Sequence, residues 1–401
     1  MGLRALIRAQ LTLCYTNLTG KYAVHELLWP GQNPTSSVAS QEDIPNPSLE
    51  SAVDLEGSVH GPLRVIPELP LHSAELPGRD IWMNVSSKSW PTFAVVGGIA
   101  ISAAPILHRC PTLGYVLLEQ DLASPLPEDT LKRIDANADQ LRAQGVSNPR
   151  SLIGKLVKNR ETVDLPDGSR LDPPRLDIKG RKLCICGDTK DASGGLPDSV
   201  GLVALARGAD LLIHEATNAA IHQEISGEKK SDDLDEVWSK AAARGHSTPQ
   251  DAGAFAGRIQ AADLVLNHFS IRYPAPPAWL IYEAETGKSH TRAKAMERGG
   301  ANTSHFHRQL ATMQSFAVQA TIAWHAAMPQ DSPEDAPWRS RQAQTAWDGF
   351  VIEIERPFPS LQQRHLENCA QDGPPEHKEA SVARIGAGAP QASALLMPVR
   401  D

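Results

Sequence analysis

What the chain lacks narrows its class first. No apolar run approaches the length of a bilayer-spanning helix, so no membrane partner is expected. Positive charge is not in excess: 39 Lys and Arg stand against 47 Asp and Glu, a formal net charge of -8. That balance excludes a uniformly basic nucleic-acid binder and leaves room only for a local basic patch. Cysteine is scarce and odd in number, with Cys14, Cys110, Cys184, Cys186 and Cys369 at no repeated spacing. Such usage argues against a disulfide framework and for a reducing, intracellular compartment. The N-terminus also lacks the basic, then apolar, then small-residue order of a secretory signal. Nucleus, cytosol and mitochondrion are not distinguished by these features.

What is present is a chain of 401 residues, long enough for one large domain or two ordinary ones. In residues 3–13, Leu3, Leu6, Ile7 and Leu11 fall at helical spacing and suit core packing. Residues 21–31 alternate as a strand and stop at Pro30-Gly31. The segment 32–78 is rich in Pro, Ser, Asn and Glu without periodicity and reads as an insert. Consecutive strands are expected across "FAVVGGIAISAAPILHRCPTLGYVLLEQ", then one helix in "PEDTLKRIDANADQLRAQG". Residues 146–180 alternate charge, Pro and Gly, which predicts a protruding, locally basic arm.

From residue 182 onward short apolar strands alternate with helices: "KLCICGDT", "PDSVGLVALARGA", "DLLIHEAT", "TPQDAGAFAGRIQAA" and "DLVLNHFS". This order predicts a layered α/β architecture. Alternation places Cys184 and Cys186 on one strand face as buried small hydrophobes, since C-x-C lacks the second half of a zinc knuckle. Thr248, Pro249 and Asp251 make a good helix start. Residues 280–345 read as a low-order insert, 346–356 as a last strand and 357–401 as a solvated tail.

Several strands end in chemically potent residues: His108, then Asp188, then His214 with Glu215, then His268, while His246 precedes the capped helix. Parallel neighbours bring their C-terminal ends to one edge, where residues distant in sequence can converge. Imidazoles and a carboxylate at such an edge suit zinc, and two metals there could polarise a phosphodiester. A Glu held against a His suits a different task, orienting an imidazole that donates a proton or contacts phosphate. His214 reads as the structural member of its pair. Each histidine alone is more often structural; the set at strand ends is what points to function.

The motifs "GDT", "HEAT", "RGHST" and "HFSIRY", in this order, resemble the ribonuclease Z family of tRNA 3′ processing endoribonucleases within the metallo-β-lactamase superfamily. "ILHRCPTLGYVLLE", "GLRALIRAQLTLCYTNL" and "AWDGFVIEI" are similar to further family segments. The resemblance implies an α/β fold, an incomplete metallo-β-lactamase-like αββα sandwich of two mixed sheets flanked by helices, over residues 1–279. It further implies two zinc ions, with His108 on one, Asp188 bridging both and His268 on the other. Glu215 and His246 would form the catalytic pair at the scissile phosphate. The substrate would be precursor tRNA, freed of its 3′ trailer, gripped by the arm at 146–180 through Lys155, Lys158 and Arg160. A homodimer is the assembly the resemblance carries.

One family motif, His-x-His-x-Asp-His, is absent from the sequence. It normally supplies four of seven metal ligands and the general base, so the expectation is a chain that starts late relative to its family. Two other readings stay open: a noncatalytic relative acting in tRNA binding or dimerisation, and a hydrolase of small phosphodiesters.

Overall fold

A computed structural model describes residues 3–32, 72–278, 280–281, 287, 304–329, 337–347 and 350–354. Most of the expected insert (residues 33–71) and the whole of the expected tail lie outside the described residues. The described chain divides into two compact units, one of Leu118–Arg181 with 353–354, the other of the remainder.

The larger unit opens with helix α1 (Leu3–Leu13) and the short strands β1 (Tyr22–Ala23), β2 (Glu26–Leu28), β3 (Glu75–Leu76) and β4 (Asp80–Trp82). Strands β1 and β3 pair in parallel, as do β2 and β4. Contrary to the expectation from spacing, α1 does not bury its leucines: Leu3 and Leu6 are 51% and 53% exposed, while Arg4 and Arg8 are buried. The reason is charge pairing. Arg4 donates from Nη2 to Asp80 Oδ1 at 2.8 Å, and its amide donates to Glu26 Oε1 at 3.1 Å. Arg8 Nε donates to Glu75 Oε2 at 2.7 Å. Both guanidinium groups thus find carboxylates on the small strands, which lets them displace leucine from the inward face.

A seven-stranded sheet follows, built from β5 (Trp90–Val96), β6 (Ile99–Ile106), β7 (Thr112–Glu119), β8 (Lys182–Cys186), β9 (Leu211–Glu215), β10 (Leu264–Asn267) and β11 (Gln344–Thr345). Its order is β11-β10-β9-β8-β7-β6-β5. The hairpin β5–β6 is antiparallel, whereas β8, β9, β10 and β11 run parallel to one another. The mixed α/β class agrees with the sequence reading. Register pairs Glu215 with Asn267 and His214 with Leu266, so the chemistry-bearing ends of β9 and β10 emerge side by side.

Helices α2 (Gly201–Ala206), α3 (Leu234–Ala243), α4 (Pro249–Arg258) and α5 (Ser304–Ala327) complete the unit. The core joins Ile106, Cys184, Cys186, Leu212 and Leu266 of the sheet to Leu202, Phe255, Phe316 and Trp324 of the helices. Cys184 and Cys186 are buried and free, as alternation predicted. The capping box at Thr248 also forms, with Asp251 Oδ2 accepting from the Thr248 amide at 2.8 Å and from its hydroxyl at 2.7 Å.

Helix α5 corrects the reading of 280–345 as a low-order insert. Its apolar positions are diluted by Gln, Ala and His, so periodicity is weak, yet Met313, Phe316, Ala320 and Trp324 are buried. Glycines on α4 permit the packing: a Cβ on Gly253 would lie 2.1 Å from Ala320 O, and one on Gly257 would lie 2.8 Å from Trp324 O. The closing strand falls at β11, and among the described residues 346–347 and 350–354 carry no strand, which shifts the edge from the expected 346–356.

The smaller unit has its own apolar cluster of Ile134, Leu141, Leu152, Leu156, Val163, Leu165 and Leu171. The single helix expected there is broken into Thr130–Ala136 and Ala138–Ala143 at Asn137. The Asn137 side chain is turned to other work. It donates to Asp167 Oδ2 at 2.9 Å and accepts from the Asp167 amide at 3.0 Å, bracing the hairpin turn between Val163–Asp164 and Arg170–Leu171. Ser169 and Asn137 together hold the Asp167 carboxyl down at about 2.

Because Glu75 is buried to 1% side-chain exposure between Arg8 and the Tyr22 hydroxyl, removing the cation leaves its charge uncompensated. Arg8→Met should cost about 3–5 kcal/mol in urea unfolding, and Arg8→Met with Glu75→Leu should recover most of that loss.

Candidate active site

The site forms where β6, β8, β9 and β10 end. After Ile106 the chain is stapled to the loop beyond β8: Leu107 N donates to Asp191 O at 3.0 Å, Lys190 N to Leu107 O at 2.7 Å and Thr189 Oγ1 to Leu107 O at 2.9 Å. That loop is itself shaped by Asp191, whose carboxylate accepts from Ser193 N at 2.8 Å and Gly195 N at 3.1 Å. His108 and Asp188 are thereby brought to the same edge as Glu215 and His268.

Glu215 sits deepest, its side chain 1% exposed. It accepts from the Thr189 amide on Oε1 and from the Thr217 hydroxyl on Oε2. His246 Nδ1 approaches both oxygens, at 3.1 and 3.2 Å. Exposure then rises outward, from 14% at His246 to 44% at both His268 and Asp188. The pair expected from the sequence is therefore a hydrogen-bonded pair, with its carboxylate sealed and its imidazole facing the rim.

Three histidine rings line the opening. His246 lies between the others, with ring centroids 5.0 Å from His108 and 5.2 Å from His268, the latter stacked. His108 Nδ1 meets Gly245 O at 2.6 Å. His268 follows the last residue of β10 with a left-handed φ of 57°, an uncommon conformation for a residue with a Cβ. Its Nε2 stands 3.4 Å from Asp188 Oδ1. Its Nδ1 is 2.9 Å from Thr217 Oγ1.

Among the described residues, two sets of donors have ligand atoms all within 4.8 Å of one another: His108, Asp188 and His246, and Glu215, His246 and His268. The trio His108, Asp188 and His268 suggested by the motifs is not itself one of these sets. His246 stands with His108 and Asp188, while His268 Nε2 is 3.4 Å from Asp188 Oδ1. Two imidazoles and a carboxylate are the chemistry of a divalent transition-metal site with three protein ligands.

His214 takes the structural place anticipated for it. It is buried, its Nδ1–H donates to Glu215 O at 2.7 Å and its ring lies 5.9 Å from Phe255. Burial lowers its pKa, opposed by the Glu215 carbonyl and charge. Lys155, Lys158 and Arg160 belong to the smaller unit. Lys155 and Lys158 are exposed on a wound turn, and Arg160 directs Nη2 to Pro174 O at 2.9 Å, so part of its donor capacity serves its own unit. Residue-type reasoning missed Thr189, Thr217 and Gly245. All three lie inside the quoted motifs, where "GDT", "HEAT" and "RGHST" each carry a small or hydroxyl residue beside the titratable one.

No family model matches the chain. Human zinc phosphodiesterase ELAC protein 1 is 33% identical over 290 residues, covering 71% of this chain and 64% of that protein. The bovine protein of that name is 32% identical over 289 residues with the same coverage. Ribonuclease Z of Myxococcus xanthus is 34% identical over 193 residues, 47% of this chain and 51% of that one. Over these spans the chain is similar to the zinc phosphodiesterase ELAC protein 1 and to ribonuclease Z. It spans 64% of the length of the mammalian family members it matches. The solved human tRNase Z, short form, is 25% identical over 68% of this chain and 60% of its own, with a TM-score of 0.34. Among the described residues, no helix is long and apolar enough to cross a membrane.

Two outcomes follow from the geometry. Gly245 has φ +84°, and a Cβ there would lie 2.6 Å from His108 Nδ1. Gly245→Ala should displace His108 and weaken divalent-metal affinity about 10-fold or more in chelator competition, with the far-ultraviolet spectrum unchanged. For His214, a folded pKa below the unfolded value of 6.5 means the unfolded chain takes up the proton first. Its contribution to stability is complete above about pH 6.5 and is lost as pH falls toward the folded value. His214→Asn, which keeps a donor near Nδ1, should flatten the decline in unfolding free energy between pH 7 and 5.

Proposed function

We propose that this chain is a zinc-dependent endoribonuclease that removes the 3′ trailer from precursor tRNA. The observation that carries the reading is the convergence of the Glu215–His246 pair with His108, Asp188 and His268 at one sheet edge. Similarity to the zinc phosphodiesterase ELAC protein 1 and to ribonuclease Z supports the substrate class.

The donor chemistry fits zinc. By the motif resemblance His108, Asp188 and His268 would hold it; His108 and Asp188 share a donor set, and His268 Nε2 is 3.4 Å from Asp188 Oδ1. Family relationship supports two ions. When bound, zinc would supply Lewis-acid polarisation of the phosphodiester. The protein's own groups do the rest. Glu215 accepts from His246 Nδ1 and fixes the ring plane, which leaves Nε2 directed at the opening. Water adds to phosphorus and gives up a proton to solvent as the bond to the 3′ oxygen breaks, and His246 delivers a proton to that oxygen, so the tRNA leaves with a 3′ hydroxyl and the trailer with the phosphate. Thr189 and Ser247 keep the pair in register, since Ser247 Oγ also donates to Thr189 O. Lys155 and Lys158 are offered as phosphate contacts of the arm, by their exposure and charge. A homodimer is carried by family relationship alone.

A second reading has one observation in its favour. Among the described residues the site gathers four donors outside Glu215 (His108, Asp188, His246 and His268), one of them engaged by Glu215. This is fewer than two complete zinc shells require. A noncatalytic family member that binds tRNA would need no more.

Incubating the full chain and zinc with precursor tRNA discriminates. Cleavage at the 3′ end of the acceptor stem, reduced about 10²–10⁴-fold in His246→Ala and in Glu215→Gln, is expected. Binding without any cleavage selects the second reading. Cleavage of a small chromogenic diester with no affinity for tRNA would overturn both.

A further inference from the structure

We infer that Thr217 is a positioning residue whose single hydroxyl proton sets the tautomer of His268, keeping Nδ1 protonated and Nε2 bare toward Asp188. The inference deepens the reading of this edge as a metal site and rests on that reading for the use it assigns to Nε2.

The argument is a count of protons. Thr217 Oγ1 contacts Glu215 Oε2 on one side and His268 Nδ1, 2.9 Å away, on the other. A hydroxyl has one proton to give and lone pairs to receive. A carboxylate only accepts, and the Glu215 side chain is 1% exposed, so water does not replace a missing donor there. The Thr217 proton therefore goes to Glu215. Its oxygen is left as an acceptor for His268, which must then carry its proton on Nδ1.

The opposite arrangement fails at two points. With the proton on His268 Nε2, Thr217 would have to donate to Nδ1, and Glu215 Oε2 would lose the hydroxyl. The Nε2 proton would in turn have to serve Asp188 Oδ1 across 3.4 Å, longer than a charge-assisted N–H···O bond favours. That separation instead matches two ligands of one tetrahedral zinc, about 3.3 Å apart for bonds of about 2.0–2.1 Å.

The same logic is already built in for the other two rings. His108 Nδ1 faces a carbonyl at Gly245, and His246 Nδ1 faces the Glu215 carboxylate. Both partners only accept, so both rings carry a proton on Nδ1. His268 differs in being 44% exposed and in having a hydroxyl, a group able to play either role, as its partner. An exposed imidazole left alone samples both tautomers. Glu215, acting through Thr217, removes that choice. The carboxylate thus orients His246 directly and His268 at one remove, coupling the catalytic pair to the metal edge. The left-handed backbone at His268 aims the ring, and Thr217 decides which nitrogen it offers.

The test is nitrogen-15 NMR of histidine ring couplings in the full chain without metal, at one fixed neutral pH. His268 should show a protonated Nδ1 and a bare Nε2. A wild-type His268 with Nε2–H, with both nitrogens protonated, or with a mixture overturns the inference. Thr217→Val keeps the shape and removes the hydroxyl. It should shift His268 toward the other tautomer and lower zinc affinity about 10–100-fold by chelator competition. Thr217→Ser should preserve both properties. A tautomer unchanged in Thr217→Val overturns the inference. A wild-type chain that takes up no zinc counts against the proposed function, while the ring couplings still decide the role of Thr217.

Discussion

The buried carboxylate of Glu215 is the constraint on which the site depends. It receives an amide from the loop after β8, a hydroxyl from the segment after β9 and an imidazole from the turn before α4. Three segments that share no local sequence are tied to one acceptor. A sealed carboxylate cannot be left short of donors without a desolvation cost of about 1–3 kcal/mol or more, so each partner is held in place by the need of the others. The histidine cluster is ordered outward from that point, and exposure rises in the same direction.

Topology is what makes the arrangement available. Parallel β8, β9 and β10 deliver their ends to one edge, and the bridge between Leu107 and Asp191 brings the antiparallel part of the sheet to meet them. The helices behind the sheet hold the edge still. Gly253 and Gly257 allow the 24-residue α5 to lie directly on α4, the helix whose capping box follows His246. A packed, small-residue contact of this kind fixes the helix start and hence the histidine ahead of it.

Where sequence reasoning succeeded, it used signals that are local or that survive as short ordered motifs. Strand alternation placed Cys184 and Cys186 inward, and Thr248 with Asp251 announced a helix start. The motifs named Glu215, His246, His108, Asp188 and His268, whose side chains the structure brings to one sheet edge. Where it failed, the deciding partner lay far along the chain. The leucines of α1 looked like a core stripe, but Arg4 and Arg8 meet Asp80 and Glu75 across some seventy residues and take the inward face. Helix α5 was illegible because its buried residues are spaced among small and polar ones, and only its contact with α4 shows why that dilution is needed.

The sequence by itself determined which elements form and which chemical groups sit at their ends, because propensity, alternation and capping act over a few residues. The resemblance to the ribonuclease Z family was also legible there, in the order of four short motifs. Tertiary structure alone decided which donor meets which acceptor. It put His246, rather than His268, in the donor set with His108 and Asp188, and it set Thr217 between Glu215 and His268. Thr217 meets His268 at 2.9 Å across 51 positions and His246 meets Glu215 at 3.1 Å across 31, and hydrogen bonds are too short in range to be read from spacing along the chain.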